Sequence, residues 1–392
     1  MPEYLIRCVQ QHESFRKAEL EALATLTGVG MEFISYSEST PFALVTLPSD
    51  DAARALITRS ILSLAIYELW GSGATYPSLH ASVTARTSHR WAAYATTSFR
   101  FSVDAFQGKR STSQQRDLIN SFRYLSFRGP IRMRDASLHL CIFEEYEMDA
   151  PAPTRVFLGR WIADGGRRAV VTYDLKKRAY ISTTSMDAEL ALVTANMALA
   201  APGKEGLKVL GRKDGGGQEA VMIDGVWAHL REGYIPPKKP YSFEAMLDDI
   251  MEFATDMLVD EGRLSMWMPT ANDEDVEFAI PSHPCLQLVS VCVQPFNKWS
   301  RRLLTYRRIP DAQVDKCIAW TKRTKEGGGH ADDLNSFRRK YFQGFKTPED
   351  EVIPPSDETS AAAAKQGAEQ LPEQASGLKL SDEDANQKSE SK

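Results

Sequence analysis

Arg123, Arg128, Arg132 and Arg134 lie close together in a stretch that also carries Phe122, Tyr124 and Phe127. Guanidinium groups grip phosphate oxygens with paired donors and keep their charge at any ordinary pH. Aromatic rings set among them can stack on unpaired bases. Together they would hold RNA by its backbone without reading its sequence. A plainer account fits the same residues: a solvated basic face outside, with at least two of the three rings packed in a core. Two further groups offer similar chemistry. Lys176, Lys177 and Arg178 form a basic loop that could meet nucleic-acid phosphates, frame a ligand pocket or simply face solvent. Asn297, Lys298, Trp299, Arg301 and Arg302 crowd a short turn, with Trp299 either a core residue or a substrate contact.

Other chemistries find little support. The five cysteines (Cys8, Cys141, Cys285, Cys292 and Cys317) are scattered and never paired as Cys-x-x-Cys. That pattern argues for a reducing compartment, here the cytoplasm, and against a structural zinc site. None of the seven histidines stands in a nucleophilic or metal-ligating constellation. There is no apolar run long enough to span a bilayer, and the first residues lack the shape of a signal peptide. Hydrophobic content of 43% and charged content of 25% are ordinary for a globular protein. The net charge of −5 is concentrated at one end. Residues 347–392 hold eleven acidic and four basic side chains, four consecutive alanines and few large apolar residues. This acidic tail is expected to be disordered.

The elements that must position the basic groups follow in order. Tyr4–Val9 reads as a strand, Ser14 as the cap of a helix over Phe15–Leu26, and Met31–Tyr36 and Phe42–Leu47 as strands. Asp50 or Asp51 opens a helix to Arg59, and Leu64–Trp70 is a further strand. This β-α-β-β-α-β order is the ferredoxin-like plan. A weakly patterned helix over Leu79–Tyr94 follows, then a strand over Ser98–Ala105, a helix over Ser113–Phe122, and strands over Leu138–Tyr146 and Arg155–Trp161. Further on, Ser185 is a plausible cap for a helix with Met186, Leu190, Val193 and Met197 on its apolar face, stopped by Pro202-Gly203. Such a helix normally feeds a buried strand. Here it runs into a polar, glycine-containing segment over 204–218. Val221–Trp227 and a proline-enforced extended connector, Tyr234–Tyr241, come next. Ser242 caps a helix to about Leu258, followed by the strand Arg263–Met268, the α/β pattern. Leu286–Pro295 and Arg302–Tyr306 are close enough to form an antiparallel hairpin.

Several stretches resemble one family. They are Tyr173-Asp-Leu-Lys-Lys-Arg with Thr183-Thr-Ser-Met-Asp-Ala-Glu189, Tyr234-Ile-Pro-Pro-Lys-Lys-Pro-Tyr241, Gly262-Arg-Leu-Ser-Met-Trp-Met-Pro-Thr270, and Phe296-Asn-Lys-Trp-Ser-Arg-Arg-Leu-Leu304. Phe15-Arg-Lys-Ala-Glu-Leu-Glu21 and Arg59-Ser-Ile-Leu62 add to these. Together they are similar to the eukaryotic tRNA (guanine(10)-N2)-methyltransferase catalytic subunit, over residues 1 to about 345. The resemblance implies an α+β N-terminal region, ferredoxin-like over 1–72 and a THUMP tRNA-binding module over 73–165. It also implies an α/β Rossmann-like methyltransferase domain over 173–346, and methyl transfer from S-adenosylmethionine to the exocyclic amine of guanosine 10. On this basis Thr183, Ser185 and Glu189 match the helix beside the cofactor. Arg123, Arg128, Lys176, Lys177, Arg178, Lys238, Lys239, Arg301 and Arg302 are candidate tRNA contacts. A small zinc-binding activator subunit is the implied partner.

The family's catalytic signature, Asp/Asn-Pro-Pro-Tyr, is missing. Pro236-Pro237 and Pro354-Pro355 lack both the preceding Asp or Asn and the following aromatic. Gly215-Gly-Gly217 follows no strand and reads as a flexible loop. The chain jumps near 203–206 from what should precede the first strand to Glu205-Gly-Leu-Lys-Val-Leu-Gly211, which resembles the sequence after the catalytic motif. About three βα units of roughly 30 residues each would be absent. The Rossmann-like domain should therefore be incomplete, with Arg263–Met268 left with an unpaired edge and an uncovered face. Its packing should be poor, cofactor binding weak or absent, and no catalytic residue can be named. Two readings of the gap stand open: a non-catalytic tRNA-binding isoform, or a mis-spliced gene model whose true product contains the core.

Overall fold

The computed structural model describes residues 1–179, 181, 185–201, 242–272, 280–314, 320–323 and 334–343. The expected junction at 203–206, Gly215–Gly217, the strand at Val221–Trp227, the connector with Lys238 and Lys239, Thr183 and the acidic tail lie outside them.

The N-terminal half is an α+β body on one seven-stranded sheet, ordered β2-β3-β1-β4-β7-β6-β5. Its first part comprises β1 (Glu3–Cys8), α1 (Glu13–Thr27), β2 (Glu32–Ser35), β3 (Phe42–Thr46), α2 (Asp50–Ile57) and β4 (Ser63–Gly73). The order β2-β3-β1-β4 with antiparallel pairs is the ferredoxin-like arrangement. Tyr4, Ile6, Leu20, Leu23, Val45, Leu56 and Ile66 form its core. Helix α2 opens at Asp50, as expected, and Ser49 caps it, its side chain accepting from the Ala52 N–H. The two aspartates sit in the first turn, where they favour the helix dipole.

The sheet continues through β4 onto β7 (Arg155–Asp164), then β6 (Leu138–Glu145) and, parallel to it, β5 (Phe99–Phe106). Helix α3 (Tyr76–Thr87) starts in a capping box between Thr75 and Ser78 and is followed by a short α4 (Trp91–Tyr94). Helix α5 (Thr112–Ser121) has a second capping box, between Ser111 and Gln114. Trp70, Leu79, Val83, Phe122, Leu140 and Leu158 build a second core beneath these helices. At the end of β7 a Cβ on Gly165 would lie 2.0 Å from the Ser63 carbonyl oxygen. The chain passes so close to β4 there that only glycine fits.

After α6 (Arg168–Thr172) and α7 (Ala188–Met197), the C-terminal half has α8 (Phe243–Met257), β8 (Arg263–Ala271), β9 (Leu286–Pro295), β10 (Trp299–Arg308) and α9 (Ser336–Gln343). Its strands form a separate sheet, ordered β8-β10-β9. The expected hairpin is present as β9 and β10. Strand β10 is antiparallel to both neighbours, so β8 and β9 run parallel to each other. Among the described residues, β8 has a partner on one edge only.

The expectation of an uncovered face and poor packing is corrected. Along β8, alternate residues point to opposite faces. Leu264, Met266 and Met268 meet α8, with Leu247, Met251, Leu304 and Tyr306. Trp267 packs the other way, on Phe15 of α1 and Val193 of α7, with Leu303 and Cys292. The N-terminal body and α7 supply the cover.

Ser14 belongs to the same contact. It does not cap α1, which starts after His12 in a left-handed conformation with no side-chain cap. Instead its hydroxyl donates to the Val293 carbonyl and accepts from the Val293 N–H, both at 3.0 Å. That satisfies both backbone groups of Val293, in the strand at the outer edge of the C-terminal sheet.

Candidate nucleic-acid interface

The aromatic-basic stretch is sorted by burial. Phe122 ends α5 and is buried, and Tyr124 and Phe127 are partly buried. Phe122 and Tyr124 pack around the His80 ring at 4.5 and 5.3 Å, and Phe127 meets Phe99 at 5.5 Å. These rings are core. Past Ser126, whose φ is +56°, the chain runs beside the start of β5, the edge strand. Arg128 N–H donates to Ala95, Phe99 N–H to Pro130 and Arg132 N–H to Phe99. This ladder leaves Arg123, Arg128, Arg132 and Arg134 exposed, without a carboxylate partner among the described residues. Ile131 and Met133, 71% and 72% exposed, sit between them. Arg100 joins the patch, donating to the Met133 carbonyl and to His139 Nδ1. Burial, with Arg100 adding, lowers the His139 pKa to about 4, so the ring stays neutral and can accept that bond. The patch is cationic, partly apolar and fixed to a sheet edge.

The second group sits between the two halves of the chain. Asp174 caps a turn over Leu175–Lys177, accepting from the Lys176 N–H at 3.0 Å. Lys177 Nζ donates to the Val171 carbonyl, while Lys176 and Arg178 are exposed. Arg178 lines a shallow depression of about 180 Å³ with Tyr173, Ala188, Ala191 and Leu192. The basic loop is thus brought against α7. That helix is capped by Asp187, which accepts from the Leu190 N–H, and not by Ser185. Of the residues matched to a cofactor helix, Glu189 is tied down by Arg167 at 2.8 and 3.3 Å. Arg167 also donates to the Ile61 carbonyl at 3.0 Å.

A buried latch fixes α7 further. Glu19 of α1 is fully buried. It accepts from the Ile61 and Leu62 N–H groups and Ser60 Oγ at 2.9 Å, and from Asn196 Nδ2 at 2.8 Å. Asn196 in turn donates to the Arg59 carbonyl and accepts from Arg59 Nε. Glu19 and Arg59 fall inside two of the recognised stretches, the one hint available beforehand.

The third group lies on the C-terminal sheet. Arg301 Nε donates to Gln294 Oε1, and its guanidinium lies over the Trp267 ring at 5.0 Å and the Phe296 ring at 5.6 Å. Arg302 is half-buried, with Nε unpartnered. Trp267 Nε1 donates to Thr194 on α7. Helix α7 therefore touches both the loop carrying Arg178 and the strand beside Arg301, whereas Arg123 and Arg128 belong to the far edge of the other sheet. Among the described residues no group of His, Cys, Asp or Glu is arranged to hold a metal, and no helix is long and apolar enough to cross a membrane.

Residues 2–167 match the family model of the Tmrp11 THUMP N-terminal domain. The chain is 32% identical to the tRNA (guanine(10)-N(2))-methyltransferase of Saccharomyces cerevisiae, covering 88% of this chain and 100% of that one. It belongs to the tRNA (guanine(10)-N(2))-methyltransferase family. The enzyme of the same name from Schizosaccharomyces pombe is 28% identical, over 87% of this chain and 96% of that one. The Homo sapiens relative, tRNA (guanine(10)-N(2))-methyltransferase TRMT11, is 24% identical over 87% and 95%. Among solved structures, TrmN from Thermus thermophilus is similar at a TM-score of 0.34 and 13% identity, over 78% of this chain and all of that one. So distant a likeness has no bearing on function. The family match is uneven along its length. Against the S. cerevisiae relative it runs over 442 aligned positions, more than the 392 residues present here, yet takes in only 88% of them. About a hundred positions of the match therefore have no counterpart in this chain.

Proposed function

We propose that this member of the methyltransferase family binds tRNA through its N-terminal body but, with the sequence it has, does not transfer a methyl group. The observation that carries the second half is the spacing between α7 and α8. Forty-five residues, 198–242, separate them, where a doubly wound domain would need about three more βα units at roughly 30 residues each. The uneven family match supports the same reading. Open α/β sheets bind ligand at the carboxyl ends of their central parallel strands, and those are the strands this spacing leaves no room for.

The family's cofactor is of the S-adenosylmethionine type, and the residues present do not fit it. The glycine-rich loop that would let backbone N–H groups approach it is missing from the sequence, as is the Asp/Asn-Pro-Pro-Tyr motif that would hold the guanine amine. Glu189 is committed to Arg167. No step of methyl transfer is therefore assigned to this chain.

For tRNA the fit is better. Arg123 and Arg128, with Arg132 and Arg134, offer charge without carboxylate partners on a rigid sheet edge. Lys176 and Arg178 continue the charge beside α7, and Arg301 and Arg302 extend it onto the second sheet. Phosphate contacts of this kind give salt-dependent affinity and little sequence preference. The zinc-binding activator subunit is proposed by family only, and a cytoplasmic location is proposed from the cysteine usage alone.

Calorimetry with S-adenosylmethionine, on the full chain co-expressed with the activator and paired with filter binding of tRNA, tests the proposal. The expected result is tRNA retention that weakens steeply with salt and no saturable cofactor binding. One-to-one cofactor binding would overturn the second half, and loss of tRNA retention the first.

A further inference from the structure

Beside the basic loop, α7 presents an apolar face to the surface. A surface helix ordinarily shows polar side chains there. Helix α7 keeps several of its polar groups elsewhere: Glu189 on Arg167, Thr194 accepting from Trp267, and Asn196 in the latch. What meets the loop is Ala188, Ala191 and Leu192. The two alanines stop at Cβ, and a hollow of about 180 Å³ remains, walled by Tyr173 and Arg178. The turn that carries Arg178 is held in place. Asp174 caps it, Arg178 N–H donates to the Leu175 carbonyl at 3.0 Å, and Lys177 Nζ reaches back to the Val171 carbonyl.

Three observations suggest what the hollow is for. First, its size: pockets that enclose a whole drug-sized ligand run to roughly 300–1,000 Å³, so this one has room for a single ring system and not for a whole nucleotide cofactor. Second, its walls: Tyr173 is 58% exposed. Neither its ring nor the Arg178 guanidinium has a hydrogen-bond, ion-pair or ring partner among the described residues. Third, its charge: Lys176 and Arg178 are exposed, and no carboxylate lines the hollow. The neighbouring acids are engaged, Asp174 with the Lys176 N–H, Asp187 with the Leu190 N–H and Glu189 with Arg167. An apolar floor, an open aromatic wall and a forked donor together suit an unpaired base, which packs by its face and is held by its edge. The two N–H groups of a guanidinium match the O6 and N7 acceptors of guanine, whereas adenine offers a donor in place of O6.

We propose that this hollow takes one unpaired purine of an RNA ligand, guanine in preference to adenine. The base lies on Ala188, Ala191 and Leu192 against Tyr173, with its edge toward Arg178, and Lys176 draws in the adjoining phosphate. The site is separate from the arginine patch on the β5 edge and needs none of the missing strands. It rests on the reading that this chain binds RNA, and it assigns a base contact to a loop that reading leaves with charge alone.

The test uses the full chain with two kinds of probe, tRNA on filters and labelled oligouridylates carrying one central guanosine or one central adenosine, followed by fluorescence anisotropy. Wild-type chain should bind the guanosine oligonucleotide about ten-fold more tightly than the adenosine one. Arg178→Lys keeps the charge but loses the fork, and should bring the two within about two-fold of each other while both still bind. Tyr173→Ala should weaken the guanosine oligonucleotide roughly ten-fold, and Tyr173→Phe, which keeps the ring, should stay within about three-fold of wild type. Ala191→Leu fills the hollow and should remove the guanosine preference while leaving the thermal midpoint in place, which separates binding from folding. Arg123→Ala with Arg128→Ala should lower tRNA affinity and leave the preference intact. Equal binding of the two oligonucleotides by wild type, or a preference that survives both Arg178→Lys and Ala191→Leu, would overturn the subsite even if tRNA is retained. Displacement of the guanosine oligonucleotide by S-adenosylmethionine would give the hollow to the adenosyl group and overturn it too. A guanosine preference lost in Arg178→Lys, without tRNA retention by wild type, would support the subsite and overturn the tRNA reading instead.

Discussion

Removing the Glu19 carboxylate should loosen the chain more than any other single change to a polar side chain of α1. Its oxygens serve the Ile61 and Leu62 N–H groups, Ser60 and Asn196. In Glu19→Ala, Asn196 keeps the Arg59 carbonyl and Ser60 keeps Ser63. The two backbone N–H groups lose the carboxylate and gain no substitute. Each buried donor left unpaired costs about 1–3 kcal/mol, so the two together cost about 2–6 kcal/mol. Relief from burying a charge offsets part of this, leaving an expected loss of about 3 kcal/mol. At a urea slope of about 3 kcal/mol per molar, the midpoint should fall by about 1 M. Glu21→Ala on the same helix is the control. Glu21 is half-exposed and pairs loosely with Lys17 at 3.8 Å, so its loss should stay within about 0.5 kcal/mol. Glu19→Gln keeps one acceptor and should fall between the two. The pH dependence gives a second readout. Burial raises the folded-state pKa of Glu19 above its ordinary value. Its contribution is therefore fully present below the unfolded carboxylate pKa and is lost as pH rises through the folded value. Glu19→Gln should remove that slope. A Glu19→Ala midpoint within 0.2 M or so of wild type would refute the claim that this carboxylate locks the loop at Ile61 and α7 together.

Other perturbations have definite outcomes. Ser14→Ala should cost about 1 kcal/mol and speed amide exchange at Val293, while exchange in β1 and β3 stays unchanged. Gly165→Ala would force a Cβ to within 2.0 Å of the Ser63 carbonyl and should cost about 1–3 kcal/mol in thermal unfolding. Asp248, buried on α8, is held below its ordinary pKa chiefly by its hydrogen bond from Arg323. The pair's stabilisation of the C-terminal core is present above the unfolded carboxylate pKa and is lost as pH falls through the folded value. Asp248→Asn should flatten that acid limb in a pH series of melting curves.

Most of the N-terminal body was legible because its signals are local. Alternating apolar residues in Tyr4–Val9 and Phe42–Leu47, helical spacing in Phe15–Leu26 and the order of elements give the ferredoxin-like plan without knowledge of distant contacts. Caps were less legible. Ser14 and Ser185 have the right chemistry, but Ser14 is claimed by Val293, 279 residues away. Asp187, two residues after Ser185, is the cap of α7. The arginine patch was readable as composition. That Phe122, Tyr124 and Phe127 are core became clear only with His80, Trp91 and Phe99 packed around them. The cover over β8 was not readable, because it comes from α1 and α7, far away in sequence.

That cover explains how an incomplete sheet can still be packed. Three strands alone expose two faces, and burying only one against α8 would leave Trp267, Leu303 and Cys292 in water. The N-terminal body meets this second face with Phe15, Leu190 and Val193, and Ser14 binds the edge of β9. Met197 accepts from Arg263 at the start of β8. What remains is the outer edge of β8, which has no strand partner among the described residues and whose N–H and C=O groups would invite one. Pro269 lies in that strand and has no N–H to offer, which shortens the stretch able to pair. The folding problem and the chemical problem posed by the gap are thus separable. The second sheet is supported by α1 and α7, whereas nothing in the sequence stands in for the family's Asp/Asn-Pro-Pro-Tyr motif. On the function proposed above, no point substitution in α7, β8 or the β9–β10 turn should produce methyl transfer, and a variant there that methylates tRNA would overturn it.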